Sequence, residues 1–431
     1  MHYVPRIVFT TWRGRASCLD KGNNRMRLRS LVVTGAVAAL ALLATACNPT
    51  PPPKGEFAGP SYTGAGSPTG FKAERKLWHH DGTWWSVMFD ATAGDHHIFK
   101  LNKVNQTWTR TSTVLDTRSS AHADVLFDGT KLYVLSHVYS EVAQSGATTP
   151  VTLYRLSYSG GNWTMDTGFP RTVLRGQMES LTLTKDGTGR LWATWVEDAA
   201  VKYITSADGL TWSGRATLPG ANASTLLTTD DISAVVAFNG RVGVLWSAQK
   251  PNGLGTTSFY FATHVDGAAT TAWTTELVAS AANLADDHVS VLATSDGTVR
   301  AAVKTSIQTG TAPEVELITR TPAGSWSRVP VWRQSDDVTR PVLVIDATHS
   351  VAHVYATSPD GGGDIWRKSS PLSSPTFPVG MGELAINDEA AGSQLNDATA
   401  SKQAVTSATG LVVQVSDNAD RVYWHHWDPL S

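Results

Sequence analysis

Cysteine is almost missing from this chain: there are 2 in 431 residues. Cys18 lies upstream of the predicted mature start, which leaves Cys47 as the single remaining thiol. A disulfide framework is therefore excluded, and so is a zinc site built on cysteine. Charge of one sign is missing too. The 35 Lys and Arg nearly balance the 37 Asp and Glu, for a formal net charge of −2. A nucleic-acid binder normally carries a basic excess, so that class is set aside. No apolar run reaches the ~20 residues a membrane-spanning helix needs. No glycine-rich phosphate loop opens a helix, and neither Gly-x-Ser-x-Gly nor His-Glu-x-x-His occurs.

What is present begins with an address. The uncharged run Leu31–Leu43 (LVVTGAVAALALL) follows Arg25, Arg27 and Arg29 and ends in Ala44-Thr45-Ala46-Cys47. A basic segment, a short apolar segment and small residues at the cleavage point make a secretory signal. The small residues before Cys47 resemble a bacterial lipobox, with Ala44 where that pattern usually has Leu. The resemblance implies diacylation of Cys47 and anchoring of an exported protein to a membrane surface in the cell envelope. Residues 1–25 read as an extension upstream of a start at Met26, and 26–46 as the signal peptide. Residues 47–60, with Asn48–Lys54 reading NPTPPPK, read as a lipidated cysteine on a proline-rich tether. Residues 61–431 read as one domain, expected to be monomeric.

That domain repeats. Trp followed by Ser or Thr recurs at Trp108, Trp163, Trp212, Trp273 and Trp326, with Phe377 in the equivalent place, at spacings of 49 to 61 residues. Out of phase with it runs a turn and a β-rich stretch: Asp81-Gly82 before TWWSVMF, Asp128-Gly129 before TKLYVLS, Asn239-Gly240 before RVGVLWS, Asp296-Gly297 before TVRAAVK. Asx-Gly pairs tolerate the positive φ angles of a type I′ hairpin turn. Alternating runs such as VTLYRLS and EVELITR follow as third strands, and the Trp run makes a fourth. Four antiparallel strands per unit of about 50 residues predict an all-β β-propeller. Seven units are counted, starting near residues 72, 120, 176, 230, 286, 336 and 397. The last shows only three strands, and residues 56–70 are expected to supply the fourth and close the ring. The alternative is six blades with an appended C-terminal hairpin.

The stretch Ser206-Ala207-Asp208-Gly209-Leu210-Thr211-Trp212 resembles, one residue short, the Asp-box turn of sialidase-like (BNR-type) propellers. Thr357–Gly363 with Trp366 is a looser echo. The resemblance implies a propeller, and it implies little about activity, because that turn lies away from the family's active face. Sialidase chemistry further requires three arginines, a Tyr–Glu pair, an Asp acid and an Arg-Ile-Pro-type signature. The mature chain lacks that signature. Arg118 and Arg340 stand near strand starts without matching it, so no catalytic residue is assigned.

The constellation that carries chemistry is acidic. Asp230-Asp231, Asp286-Asp287 and Asp336-Asp337 each precede an inner strand at comparable places in three successive units. With Arg118, Glu179, His288, Arg340 and Lys402 they are expected to ring one mouth of the central channel. Such a rim suits a sugar, a partner's basic side chain, or Ca²⁺, which takes oxygen ligands. The competing reading makes these aspartates Asx-turn residues that bind backbone amides. The pairs His79-His80, His96-His97 and His425-His426 point to opposite strand faces and read as surface histidines. Trp84-Trp85, Trp192/Trp195 and Trp424/Trp427 read as packing between blades. The expected function is a surface lipoprotein whose propeller binds carbohydrate or an envelope protein. The alternatives are a sialidase-like hydrolase or lyase working with rim carboxylates, and a purely structural envelope protein.

Overall fold

The computed structural model describes residues 52–64, 68–143, 146–220, 227–251, 253–387 and 392–431. The signal peptide and Cys47 lie outside the described residues. Seven antiparallel sheets stand around one axis. Their inner strands are Leu77–His80, Ala121–Phe127, Thr182–Lys185, Ser233–Phe238, Val289–Ala293, Thr339–Asp346 and Leu395–Thr399. This is the expected seven-bladed propeller, and the six-bladed alternative falls. In the second blade the outer place is divided between two short strands, Asn162–Met165 and Arg171–Arg175, both paired to Pro150–Ser159. Among the described residues helix is confined to one turn, Gln334–Asp336, and no helix is long and apolar enough to cross a membrane.

The composition of each strand reflects its place. The second strand of a blade is covered on both faces by neighbouring blades, so Leu191–Glu197 and Arg241–Ala248 are buried almost throughout. The outer strand Thr107–Val114 meets solvent on one face and alternates. Trp84, Trp85, Trp192 and Trp195 are at most 1% exposed, which bears out blade packing for those four. The Asx-Gly turns join inner to second strands as expected, with positive φ at both positions in Asp81-Gly82 and Asn239-Gly240.

The seventh blade is closed by the N-terminal strand Gly55–Ser61, which pairs antiparallel with Val422–Asp428, Phe57 opposite His425. Residues 55–60, read from the sequence as tether, are thus part of the ring. Closure pairs an edge that would otherwise be exposed. Beyond this strand the chain turns in to the axis. There Glu74 meets His137 of the second blade and the amide of Leu181 in the third. Arg75 Nη2 donates to Ser290 Oγ at 2.7 Å and Leu343 O at 3.0 Å, in the fifth and sixth blades. Lys76 reaches Ala123 O in the second. The Lys76 amide also donates to Thr399 Oγ1 of the seventh blade at 3.1 Å, so Phe71–Lys76 is a polar plug held by at least five blades. It divides the axis into two mouths: one where the inner strands begin, and one where they turn into the second strands.

Candidate functional site

At the mouth where inner strands begin, three blades and the plug converge. Glu179 comes from the third blade, Asp230 from the fourth, and Asp286, Asp287 and His288 from the fifth. Carboxylate oxygens of Glu179, Asp230 and Asp287 lie within 4.8 Å of one another, as do ligand atoms of Asp286, Asp287 and His288. The plug inserts Lys72, whose Nζ ion-pairs with both Glu179 and Asp287. The acidic cluster thus carries an internal cation. His288 Nδ1 lies 2.6 Å from Asp286 Oδ1 and 2.7 Å from Asp287 Oδ1.

Burial and charge set the protonation states. Desolvation pushes the Glu179 carboxyl up to about 7, against the opposing pull of Lys72. Burial also depresses His288, which its bond to Asp286 only partly offsets. Asp286 is itself drawn up by burial, but the bond to His288 and the charges of His288 and Lys304 outweigh this and hold it well below the carboxylate range. Two buried atoms here have no hydrogen-bond partner, Glu179 Oε2 and His288 Nε2. Beside them the rings of Phe71 and Tyr139 meet with centroids 4.6 Å apart. Across the mouth Arg340 Nε lies 3.0 Å from Asp397 Oδ1.

Not every rim residue named from sequence joins this cluster. Asp231 is 1% exposed. Its carboxylate accepts the amides of Thr228 at 2.6 Å and Gln249 at 3.0 Å, so it staples a turn. Burial raises it to about 6, opposed by those amides. Asp336 accepts the Arg333 amide at 2.9 Å within the short helical turn, and Asp337 closes that turn with φ 51°. Arg118 binds Asp116 within the connection from the first blade to the second and donates to Pro150 O at 2.7 Å, tying that connection to the strand Pro150–Ser159. Lys402 lies inside the channel against Asp124 and Leu183 O and lines the opposite mouth, because the seventh inner strand has already run its length by residue 399. Asp231 and Asp336 thus bind backbone amides as the competing reading expected, though the local amides lie three residues upstream and not in Asx-turns, while Glu179, Asp230, Asp286, Asp287 and His288 cluster.

The histidine pairs are a correction. His96, His97, His425 and His426 are not surface residues but 0–6% exposed. His425 Nε2 lies 2.9 Å from Gln106 Oε1, and the Trp108 indole donates to its Nδ1 at 3.2 Å. Burial lowers His425 to about 3 and His426 to about 4, so both stay neutral. Sequence reasoning missed the plug, Tyr139 and Asp397. One signal was legible: Lys72, Glu74, Arg75 and Lys76 crowd four charges into five residues directly before a strand buried in the ring.

No family model matches the sequence, and no curated protein matches it. Among solved structures the chain is similar to the polysaccharide lyase Uly1, at 9% identity and TM-score 0.50, over 83% of this chain and 90% of that one. It is also similar to a streptogramin B lyase, at 10% identity and TM-score 0.48, over 86% and 98%. An α-L-arabinanase of Penicillium chrysogenum, complexed with arabinobiose, matches at 11% and 0.44, over 88% and 99%. At such identities the likeness is one of fold. The seven sheets themselves define the class, a seven-bladed β-propeller, and leave function to the site.

Proposed function

We propose that this chain is an exported, lipid-anchored propeller that binds carbohydrate at the mouth formed by Glu179, Asp230, Asp287, His288 and Tyr139. The observation that carries the reading is the pair of unpartnered buried polar atoms, Glu179 Oε2 and His288 Nε2, beside the Phe71–Tyr139 aromatic pair. Convergent polar groups with spare hydrogen-bonding capacity next to ring faces match the alternating polar and apolar surfaces of a sugar. The turn at Ser206–Trp212, where Asp208 Oδ1 accepts the amides of Leu210 and Thr211 at 2.8 Å each, supports kinship with sialidase-like propellers.

A thermal-shift screen against neutral and acidic glycans, run with Asp230→Ala and Tyr139→Ala, tests the reading. Neither side chain is fully buried or staples a turn, so both variants should fold. A glycan that stabilises the parent and not the variants supports it. A full panel without a shift removes it.

One observation favours a hydrolase as the second reading. Glu179, raised to about 7, is fit to donate a proton near neutral pH, and its carboxylate neighbours lie within 4.8 Å, close to the spacing of about 5 Å used for retention. Against it, Asp287 is already engaged by Lys72 and His288. Release of reducing sugar that is lost in Glu179→Gln would establish the hydrolase. The Ca²⁺ expectation becomes, on this reading, a role already filled by the Lys72 ammonium.

A further inference from the structure

A second concavity lies on the far side of the plug, at the mouth formed by the inner-to-second-strand turns. It has a volume of about 750 Å³ and is lined by Arg75, Thr130, Thr184, Ala237 and Lys402, among others. That volume falls within the range of small-molecule sites.

The charges around the plug do not balance. Lys76 pairs with Glu74 at 3.5 Å, and Lys402 pairs with Asp124. Arg75 is 2% exposed and has no carboxylate within ion-pair distance among the described residues. Its Nη2 bonds are to neutral oxygens, Ser290 Oγ and Leu343 O, and its Nη1 has no partner at all. Whether or not the Lys402–Asp124 pair is ionised, the pair is neutral overall and Arg75 is left in excess. Burial lowers the guanidinium to about 10, with Asp124 opposing, so it stays charged at neutral pH. A buried cation without a counter-ion is costly, and the cost falls when an anion binds beside it. The other carboxylates lining the cavity are occupied. Asp128 holds Lys185, while Asp186 accepts the amides of Thr188 and Arg190 and the Trp192 indole.

We infer that this cavity binds a monoanionic saccharide, its carboxylate directed at Arg75 and its hydroxyls at the threonine-bearing wall. Arg75 lacks a carboxylate partner of its own, and one carboxylate placed at its open Nη1 would supply it, while the Asp186 carboxylate, held only by neutral donors in the same cavity, disfavours a second negative charge. The guanidinium also matches carboxylate geometry better than an ammonium does. This site is distinct from the mouth at Glu179, rests on different residues, and stands or falls independently.

The test is calorimetric and thermal-shift titration of the whole chain with galacturonate, galactose and inorganic phosphate at fixed ionic strength, in the parent, Ala237→Trp and Arg75→Met. Ala237 lies half-buried on the cavity wall and outside the plug, so an indole there takes up cavity space while the plug's own residues are unchanged. The expected result is that galacturonate binds the parent at least about tenfold more tightly than galactose, and that either substitution abolishes that preference. Equal binding of galactose, tighter binding of phosphate, or parent-like affinity in Ala237→Trp would each overturn the proposal. If Arg75→Met does not fold, Ala237→Trp decides alone.

Discussion

Glu179 is where burial and charge meet most directly. Its carboxyl is raised from an ordinary value near 4.5 to about 7, so the folded state holds a proton that the unfolded state has released. The stability this confers is complete below about pH 4.5 and is lost as pH rises through 7. Glu179→Gln removes the titration, so the variant should gain on the parent as pH rises, by roughly 1–3 kcal/mol at pH 8 relative to pH 5. Urea unfolding at the two pH values measures it, and an equal difference at both would mean the carboxyl titrates normally. Asp124 is a structural carboxylate. It is 0% exposed, binds Lys402, and accepts the amides of Arg75 at 2.9 Å and Leu183 at 2.7 Å. Asp124→Ala strands a buried ammonium and two amides, and should cost about 3–5 kcal/mol in the same unfolding assay. Substituting exposed Asp230 should cost little, and that contrast separates the structural aspartate from the solvent-facing one at the mouth.

At the scale of strands, the tight places are backbone ones. Gly243 sits in a fully buried second strand, where an added Cβ would lie 2.2 Å from the Phe261 ring and 2.9 Å from Phe238. Gly243→Ala should destabilise by about 1–3 kcal/mol through overpacking, read from the denaturation midpoint, although alanine itself suits a strand no worse than glycine. Much of this level was legible beforehand. The Asx-Gly turns and alternating runs located most second and third strands. The last unit, whose pattern reads from residue 402 although its inner strand is Leu395–Thr399, shows only three strands and announced that a fourth must come from the N-terminal side. Neither the end of that strand nor the path of the chain beyond it was legible. Gly55–Ser61 is too short and too mixed in polarity to declare itself, and only its register on Val422–Asp428 defines it. The plug was hidden for a related reason. Phe71–Lys76 is charged, charge is read as surface, and nothing local reports that seven strands will surround it. The histidine pairs misled in the same way, because a strand histidine with a buried hydrogen-bond partner looks in sequence like one bathed in water. The acidic pairs shared a position in the repeat but not a role, since the turns that Asp231 and Asp336 staple depend on partners up to 18 residues away.

The polarity of the closing strand orients the whole molecule. Gly55 pairs with Trp427, near the end of the last strand, and Ser61 pairs with Val422 at its start. The last strand starts beside the Asn418–Arg421 connection, on the side of the Glu179 mouth, and finishes opposite Leu411, just after the inner-to-second-strand turn. The chain before Gly55 therefore leaves the ring on the side of the Arg75 cavity. If Cys47 carries lipid, the few residues between it and Gly55 reach only about 25 Å even when extended as polyproline. The Arg75 mouth would then face the membrane and the Glu179 mouth would face outward, where a long glycan can approach. Two measurements test this: the first tests the lipid anchor and the second, on intact cells, the orientation. Cys47→Ser should move the protein from the detergent phase to the aqueous phase. In a Cys47-lipidated background, a cysteine replacing Asp230 should react with a membrane-impermeant maleimide several-fold faster than one replacing Thr188, which lines the opposite cavity. Equal labelling with the anchor intact would mean that the tether does not hold the ring in one orientation, and the outward mouth would lose its privilege as the place where glycan is met.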